Sequence, residues 1–294
     1  MAESMSFSGN YKTTKLYGYL FIIPCILSIL FLIAYPYPFT IYLSLFSNML
    51  RPGIIPRFVG LNNYIKLIYD SEFQKALFSS FIYVLTTSIG ALIVGLFTAL
   101  LFNRITIGKR ILRGLILLPY VTPLVSTAYV WKYIFHPVTG IMNYLLVQLN
   151  IIEAPVNWVM DPRYAFTMVI IYDIWRYFPF SYLMILAALQ SIDKTLYEAA
   201  EVDGAGLFQR FIHITIPGIW WIMATVFLIR CLWNLNKFDD IYLLTSGVVQ
   251  TVPVYAYRTA FRAYEYSMGA SILLFMAALS FIFLFIYLKK VLKW

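Results

Sequence analysis

Two groups of ionisable residues in this sequence have types and spacing that could do chemistry. The first is the stretch LYEAAEVDGAGLFQRFIHITIP, Leu196 to Pro217, which carries Glu198, Glu201, Asp203, Gln209, Arg210 and His213. The second is Asp173, Arg176 and Arg230, which lie inside long apolar runs. An ionisable group in such a run is costly and usually faces a partner or a watery cavity. Catalytic material is scarce. His136 and His213 are the only histidines, so neither a metal cluster nor a His-based catalytic pair is expected. Gly108-Lys109-Arg110 lacks the upstream glycine and the hydroxyl of a nucleotide-cradling G-x-x-x-x-G-K-[ST] loop. The chain is therefore expected not to be an enzyme and to hold no cofactor of its own.

The elements that position these residues are set by composition. The 294 residues are 62% hydrophobic and only 12% charged, against about 25% charged in a soluble domain. Leu16–Leu50, Ala76–Asn103, Gly114–Trp131 and Tyr266–Leu288 contain no charge at all. Two further runs, Tyr164–Ile192 and Phe211–Asn236, contain few. Since a bilayer crossing takes about 20 apolar residues, the sequence predicts an all-α polytopic fold with six spans, near 16–46, 76–102, 111–134, 164–189, 215–236 and 266–288. The first span is too long and too interrupted by proline for a cleavable leader. Residues 1–15 form a terminal segment, and 16–290 one membrane domain.

An even number of spans puts both termini on one side. The terminal segments with 103–113 and 190–217 hold eleven Lys/Arg and five acids; the opposite loops, with Lys132, hold nine and seven over a much longer stretch. Positive density marks the cytoplasmic side, so both termini and 190–217 are expected there. The net charge of +9 is explained in this way and does not call for nucleic acid.

Within 190–217, Thr195 and Glu198 have capping-box spacing, with Asp193 a competing cap. Gly204 can end the first helix in the left-handed conformation. A second helix from Leu207 would present Phe208, Phe211, Ile212 and Ile214, and Pro217 suits the first turn of the next span. A helix lying on lipid headgroups should be rich in Lys/Arg. The first helix has three acids and no base after Lys194, which suits a protein partner better.

Here the sequence resembles a known family. Glu198-Ala199-Ala200, three residues, Gly204, nine residues and Ile214-Thr215-Ile216-Pro217 follow the E-A-A-x3-G-x9-I-x-L-P signature of permease subunits of bacterial ATP-binding-cassette importers, with Ile216 for leucine. FVGLNNYIKLIYDSEFQKAL, DIWRYFPF and FDDIYLLTSG…VPVYAYRTAF resemble its carbohydrate branch, the maltose-permease-like, binding-protein-dependent transport inner membrane components. Asp193 departs from the proline of many relatives.

The resemblance implies a type I importer permease fold in a bacterial cell membrane, importing a sugar or oligosaccharide. The segment would be a coupling helix, with Glu198, Ala199, Ala200, Asp203, Gly204, Ile214 and Pro217 meeting a separate ATPase dimer that carries ATP and magnesium. A second, related permease, an extracytoplasmic solute-binding protein, the sugar and membrane lipid would be its other partners. Ser126, Asp173, Arg176 and Asn234 line up with sugar-contacting positions of the relatives, with Arg230 and Trp233 close by. Asp173 and Arg176, three apart on a helix, could instead simply pair; Arg230 could reach Asp173, line the pathway or sit near outer water. If both arginines face the cavity, an acidic sugar fits, because Arg grips carboxylate in a fork. Pro119 and Pro123 are expected to kink the third span. The alternative reading, an ion-gradient-driven secondary transporter, should show inverted repeats and broken helices around a midplane site; the sequence displays neither. A membrane-embedded enzyme would need a convergent catalytic group that is missing.

Overall fold

The computed structural model describes residues 11–104 and 108–291. The expected terminal segment 1–15 lies mostly outside them, and Tyr11 already begins a helix. The described residues are mostly helical. α1 (Tyr11–Ile29) passes through a π-turn at Leu30–Ala34 into α2 (Pro36–Ser44). A two-residue antiparallel pair, β1 (Phe46–Ser47) with β2 (Arg57–Phe58), and α3 (Asn62–Tyr69) lead to α4 (Ser71–Arg104). Then come α5 (Lys109–Val121), α6 (Leu124–Ile134), α7 (Ile141–Gln148), α8 (Pro162–Ser191), α9 (Lys194–Val202), α10 (Leu207–Arg210), α11 (Ile216–Leu235), α12 (Asp239–Thr245), α13 (Val252–Tyr257) and α14 (Tyr266–Lys290).

Five helices, Tyr19–Ser44, Ser71–Asn103, Pro162–Ser191, Leu207–Leu235 and Tyr266–Lys290, are each long and apolar enough to cross a bilayer. The third expected span, near 111–134, is not one rod. Ile111–Val121 and Leu124–Ile134 meet at 90°, a break and not the kink foreseen. The cause is local. A residue before proline is driven out of the helical region, and Thr122 (ψ 139°) and Pro123 (ψ 134°) are both extended.

The core forms where α4, α8 and α11 meet. Glycine permits the closest approach: a Cβ on Gly95 of α4 would lie 2.6 Å from Cβ of Ser181 on α8. One interior cluster joins Tyr83, Val169, Tyr172 and Cys231 to Ile241 and Leu244 of α12, which anchors that short helix to the bundle. By contrast residues 19–39, along α1 and into α2, are exposed throughout. Because α8 and α11 are joined through 192–215, α9 and α10 sit at one end of the bundle and α12 and α13 at the other. The short helices α3, α7, α12 and α13 occupy the connections between the spans.

Candidate functional site

The polar segment folds as a tight helix–turn–helix. Asp193 caps α9 by accepting the Thr195 N–H at 2.9 Å. That contact holds its carboxyl below the ordinary carboxylate range. The Thr195–Glu198 capping box is therefore corrected: the competing cap took the position, and Glu198 stays exposed, with no hydrogen-bond or ion-pair partner among the described residues. α9 ends in a Schellman motif, Ala205 N–H to Ala200 O at 2.8 Å and Gly204 N–H to Glu201 O at 3.1 Å. Gly204 takes φ +79°. Beyond the turn, Gln209 Oε1 accepts the Gly206 N–H at 2.8 Å and starts α10.

α10 is a single turn, and Phe211–Thr215 continue as a π-turn into α11. The expected apolar stripe divides. Phe208 and Ile212 are exposed, whereas Phe211 and Ile214 are half-buried. Pro217 lies in the first turn of α11, as expected. Two side-chain contacts brace the unit: Arg210 Nη1 to Glu201 Oε2 at 3.0 Å and Tyr197 Oη with Thr215 Oγ1 at 2.9 Å. The ion pair is worth at most about 1 kcal/mol, since Glu201 is largely exposed. Ala199, Val202, Asp203 and Leu207 are exposed too, while Ala200 is half-buried. A cleft of about 360 Å³ lies inside the bend, lined by Asp203, Gly204, Gln209, Arg210 and His213 among others. The segment thus presents a rigid, braced surface carrying an unpaired carboxylate and exposed apolar side chains.

In the bundle interior, of the two pairings open to Asp173, the one with Arg176 does not form and the one with Arg230 does. Arg230 Nη2 of α11 lies 2.5 Å from Asp173 Oδ1 of α8. Asp173 Oδ2 also accepts from Tyr83 Oη at 2.8 Å and Lys237 Nζ at 3.3 Å. Lys237 reaches Asp240 Oδ2 at 3.2 Å and lies 3.3 Å from the Tyr177 ring centroid, and Tyr177 donates its hydroxyl to Asp240 at 2.7 Å. Charges outside water need partners, and here each finds one on another element, not on its own helix. Asn234 is buried and donates to Thr87 Oγ1 of α4 at 2.7 Å. Lys237, Asp240, Tyr83 and Tyr177 were missed. FDDIY was read only as a resemblance, and nothing in sequence spacing shows that a loop lysine turns back into the bundle.

Arg176 serves the break in the α5–α6 segment. Pro123 has no N–H, so the carbonyl of Pro119 loses its helical donor. Arg176 Nη1 donates to Pro119 O at 3.1 Å and to Thr127 Oγ1 at 3.0 Å, and Nη2 to Thr122 O at 2.9 Å. Both arginines are thus buried and directed at protein groups. Ser126 and Trp233 are the two exposed members of the expected pathway set. Trp233 sits 4.9 Å from Phe180, and Phe180 stacks at 6.3 Å on Tyr120, giving a partly exposed aromatic strip across α5, α8 and α11. Phe180 and Tyr120 were not singled out, although they stand within the DIWRYFPF and LPYVTP stretches.

Known proteins are similar to this chain in sequence or in fold. The inner membrane ABC transporter permease protein YcjO of Escherichia coli is 37% identical over 286 residues, 97% of each chain. The trehalose/maltose transport system permease protein MalF of Thermococcus litoralis is 33% identical over 98% of each. A bacterial alginate ABC transporter, solved with a periplasmic protein carrying an alginate pentasaccharide, has the same fold at TM-score 0.81 and 21% identity, covering 96% of this chain and 97% of that one. Residues 91–289, from the middle of α4 through both sites, match the family described as binding-protein-dependent transport system inner membrane component. The helical bundle, the E-A-A…G stretch that ends in the turn at Gly204 and these relatives lead to one assignment: the chain belongs to that family of multi-pass ABC importer permeases.

Proposed function

We propose that this chain forms one half of the membrane pathway of an ATP-driven sugar importer, and that its α9–α10 unit receives the push of a separate ATPase. The observation that carries this is the unit itself. It is built before any partner arrives, with its cap, its Schellman turn and two braces, yet Glu198 and the apolar side chains around it remain uncovered. The E-A-A…G pattern is the one the resembling permeases use for coupling. A preformed surface loses less ordering entropy on docking. Displacement of α9 is relayed through Tyr197–Thr215 and Arg210–Glu201 into α11, and rigid-body motion of packed helices switches which side the cavity faces. ATP hydrolysis then belongs to the partner, and this subunit supplies none.

In this reading both termini and α9 are cytoplasmic, and α12 and α13 meet the solute-binding protein outside. The uncovered apolar face of Tyr19–Ser44 is available to lipid and to a second, related permease; a heterodimer fits the carbohydrate branch. The sugar is read by its C–H faces on Trp233, Phe180 and Tyr120 and by hydroxyl contacts such as Ser126. Asp173, Arg176, Arg230 and Asn234 hold the wall behind these rings. Relatives named for trehalose/maltose and a solved alginate importer motivate the substrate class. The inward arginines favour stacking and hydroxyl recognition over a carboxylate fork.

The test is co-purification of the tagged chain with its ATPase. Glu198→Lys should release the ATPase while Glu201→Gln retains it. Equal retention in both would remove the coupling role.

A further inference from the structure

Arg176 does more than fill a gap. A continuous helix would satisfy Pro119 O and Thr122 O with N–H groups one turn on. The proline and the extended pair at 122–123 remove that option, and an unpaired carbonyl away from water is costly. One guanidinium replaces both donors and also holds Thr127 at the start of α6. Lysine could not, because it lacks a planar fork. The remaining edge of the same guanidinium faces α12: Nε stands 3.8 Å from Asp240 Oδ1. Asp240 is itself fixed by Lys237 and Tyr177. α12 grips α6 a second time where Lys132 Nζ donates to Ser246 Oγ at 3.1 Å.

We propose that Arg176 is a positioning residue that sets the shape of the α5–α6 break and makes that shape depend on α12. A shift of α12 moves Asp240, Asp240 moves Arg176, and the break must re-form around the two carbonyls. With α12 on the binding-protein side, a premise that rests on the transport reading, arrival of the loaded binding protein is felt at the broken helix before any ATPase movement reaches it.

Two measurements on the assembled complex test this. Spin labels at Leu118→Cys and Val130→Cys, both exposed and flanking the break, report its geometry in a Cys25→Ser background. The parent should give one narrow distance, broadened or shifted by Arg176→Gln and equally by Asp240→Asn, a change on a different helix. The same two variants should lower binding-protein-stimulated ATP turnover about tenfold, with the half-saturating binding-protein concentration unchanged and no rescue by Arg176→Lys. Unaltered label distances in both variants, or full recovery with Arg176→Lys, would overturn the proposal. A responsive label in a complex whose parent shows no stimulated turnover would keep the link and remove the transport reading.

Discussion

Arg230 and Asp173 join α11 to α8 through a 2.5 Å contact at a point where neither side chain is exposed. The pair is not symmetrical in its surroundings. Without Arg230, the Asp173 carboxylate keeps Lys237 and Tyr83. Without Asp173, the fully buried guanidinium keeps, among the described residues, only the Tyr177 ring, 4.7 Å away. Breaking a buried pair costs about 3–5 kcal/mol, so Asp173→Asn should show that full loss and Arg230→Met clearly less. Thermal unfolding of the purified complex in detergent measures both, and the reverse order would refute this account of the cluster.

Gly204 is constrained by its backbone alone. At φ +79° an added Cβ would meet nothing within 4 Å. The penalty is then conformational, about 1–2 kcal/mol for an ordinary residue, smaller for asparagine and larger for a β-branched side chain. ATPase affinity should fall in the order Gly, Asn, Ala, Val. A valine variant that binds as tightly as the parent would show that the turn is not needed.

The cap at Asp193 gives a pH dependence with a definite sign. Its pKa is lowered by the Thr195 N–H, so its stabilising effect is complete above the unfolded value of about 4. It is lost as pH falls through the lower folded value. Hydrogen exchange at Thr195 should therefore be faster in Asp193→Ala than in the parent at neutral pH, and the two should converge at strongly acidic pH. A difference that persists there, or none at neutrality, contradicts the assignment.

The aromatic strip makes a prediction about substrate. Trp233→Ala should reduce sugar transport by about 2–10-fold, the effect of an aromatic contact of roughly 0.5–1.5 kcal/mol. Trp233→Phe should recover most of it, and unfolding temperature should barely move because the ring is 44% exposed. Unchanged uptake in the alanine variant would place the sugar elsewhere.

Much of this architecture was legible in the sequence because its signals are local. Charge-free runs mark spans, Gly204 marks a helix end, and Pro217 a helix start; each depends on a few neighbouring residues. Of the interior polar network only the reach of Arg230 to Asp173 stood among the alternatives; the rest was not legible, for the opposite reason. Asp173 lies three residues from Arg176 on one helix, and helix spacing invites that pair. The partners it takes, Arg230, Lys237 and Tyr83, are 57, 64 and 90 residues away. Likewise Pro119 and Pro123 announce a disturbance, but its size is fixed by Arg176 accepting the role of two missing N–H donors, a contact between distant segments. The Thr195–Glu198 spacing failed because the helix already begins at Lys194, so Asp193 is its cap and takes the Thr195 N–H that the box would have given to Glu198.

Sugar uptake by vesicles containing the complete complex, with the loaded binding protein on the α12 side and ATP on the α9 side, tests the central claim most directly. Concentrative uptake should require ATP and disappear in Glu198→Lys while nucleotide binding by the ATPase persists. Uphill transport by this chain alone, without nucleotide, would contradict it.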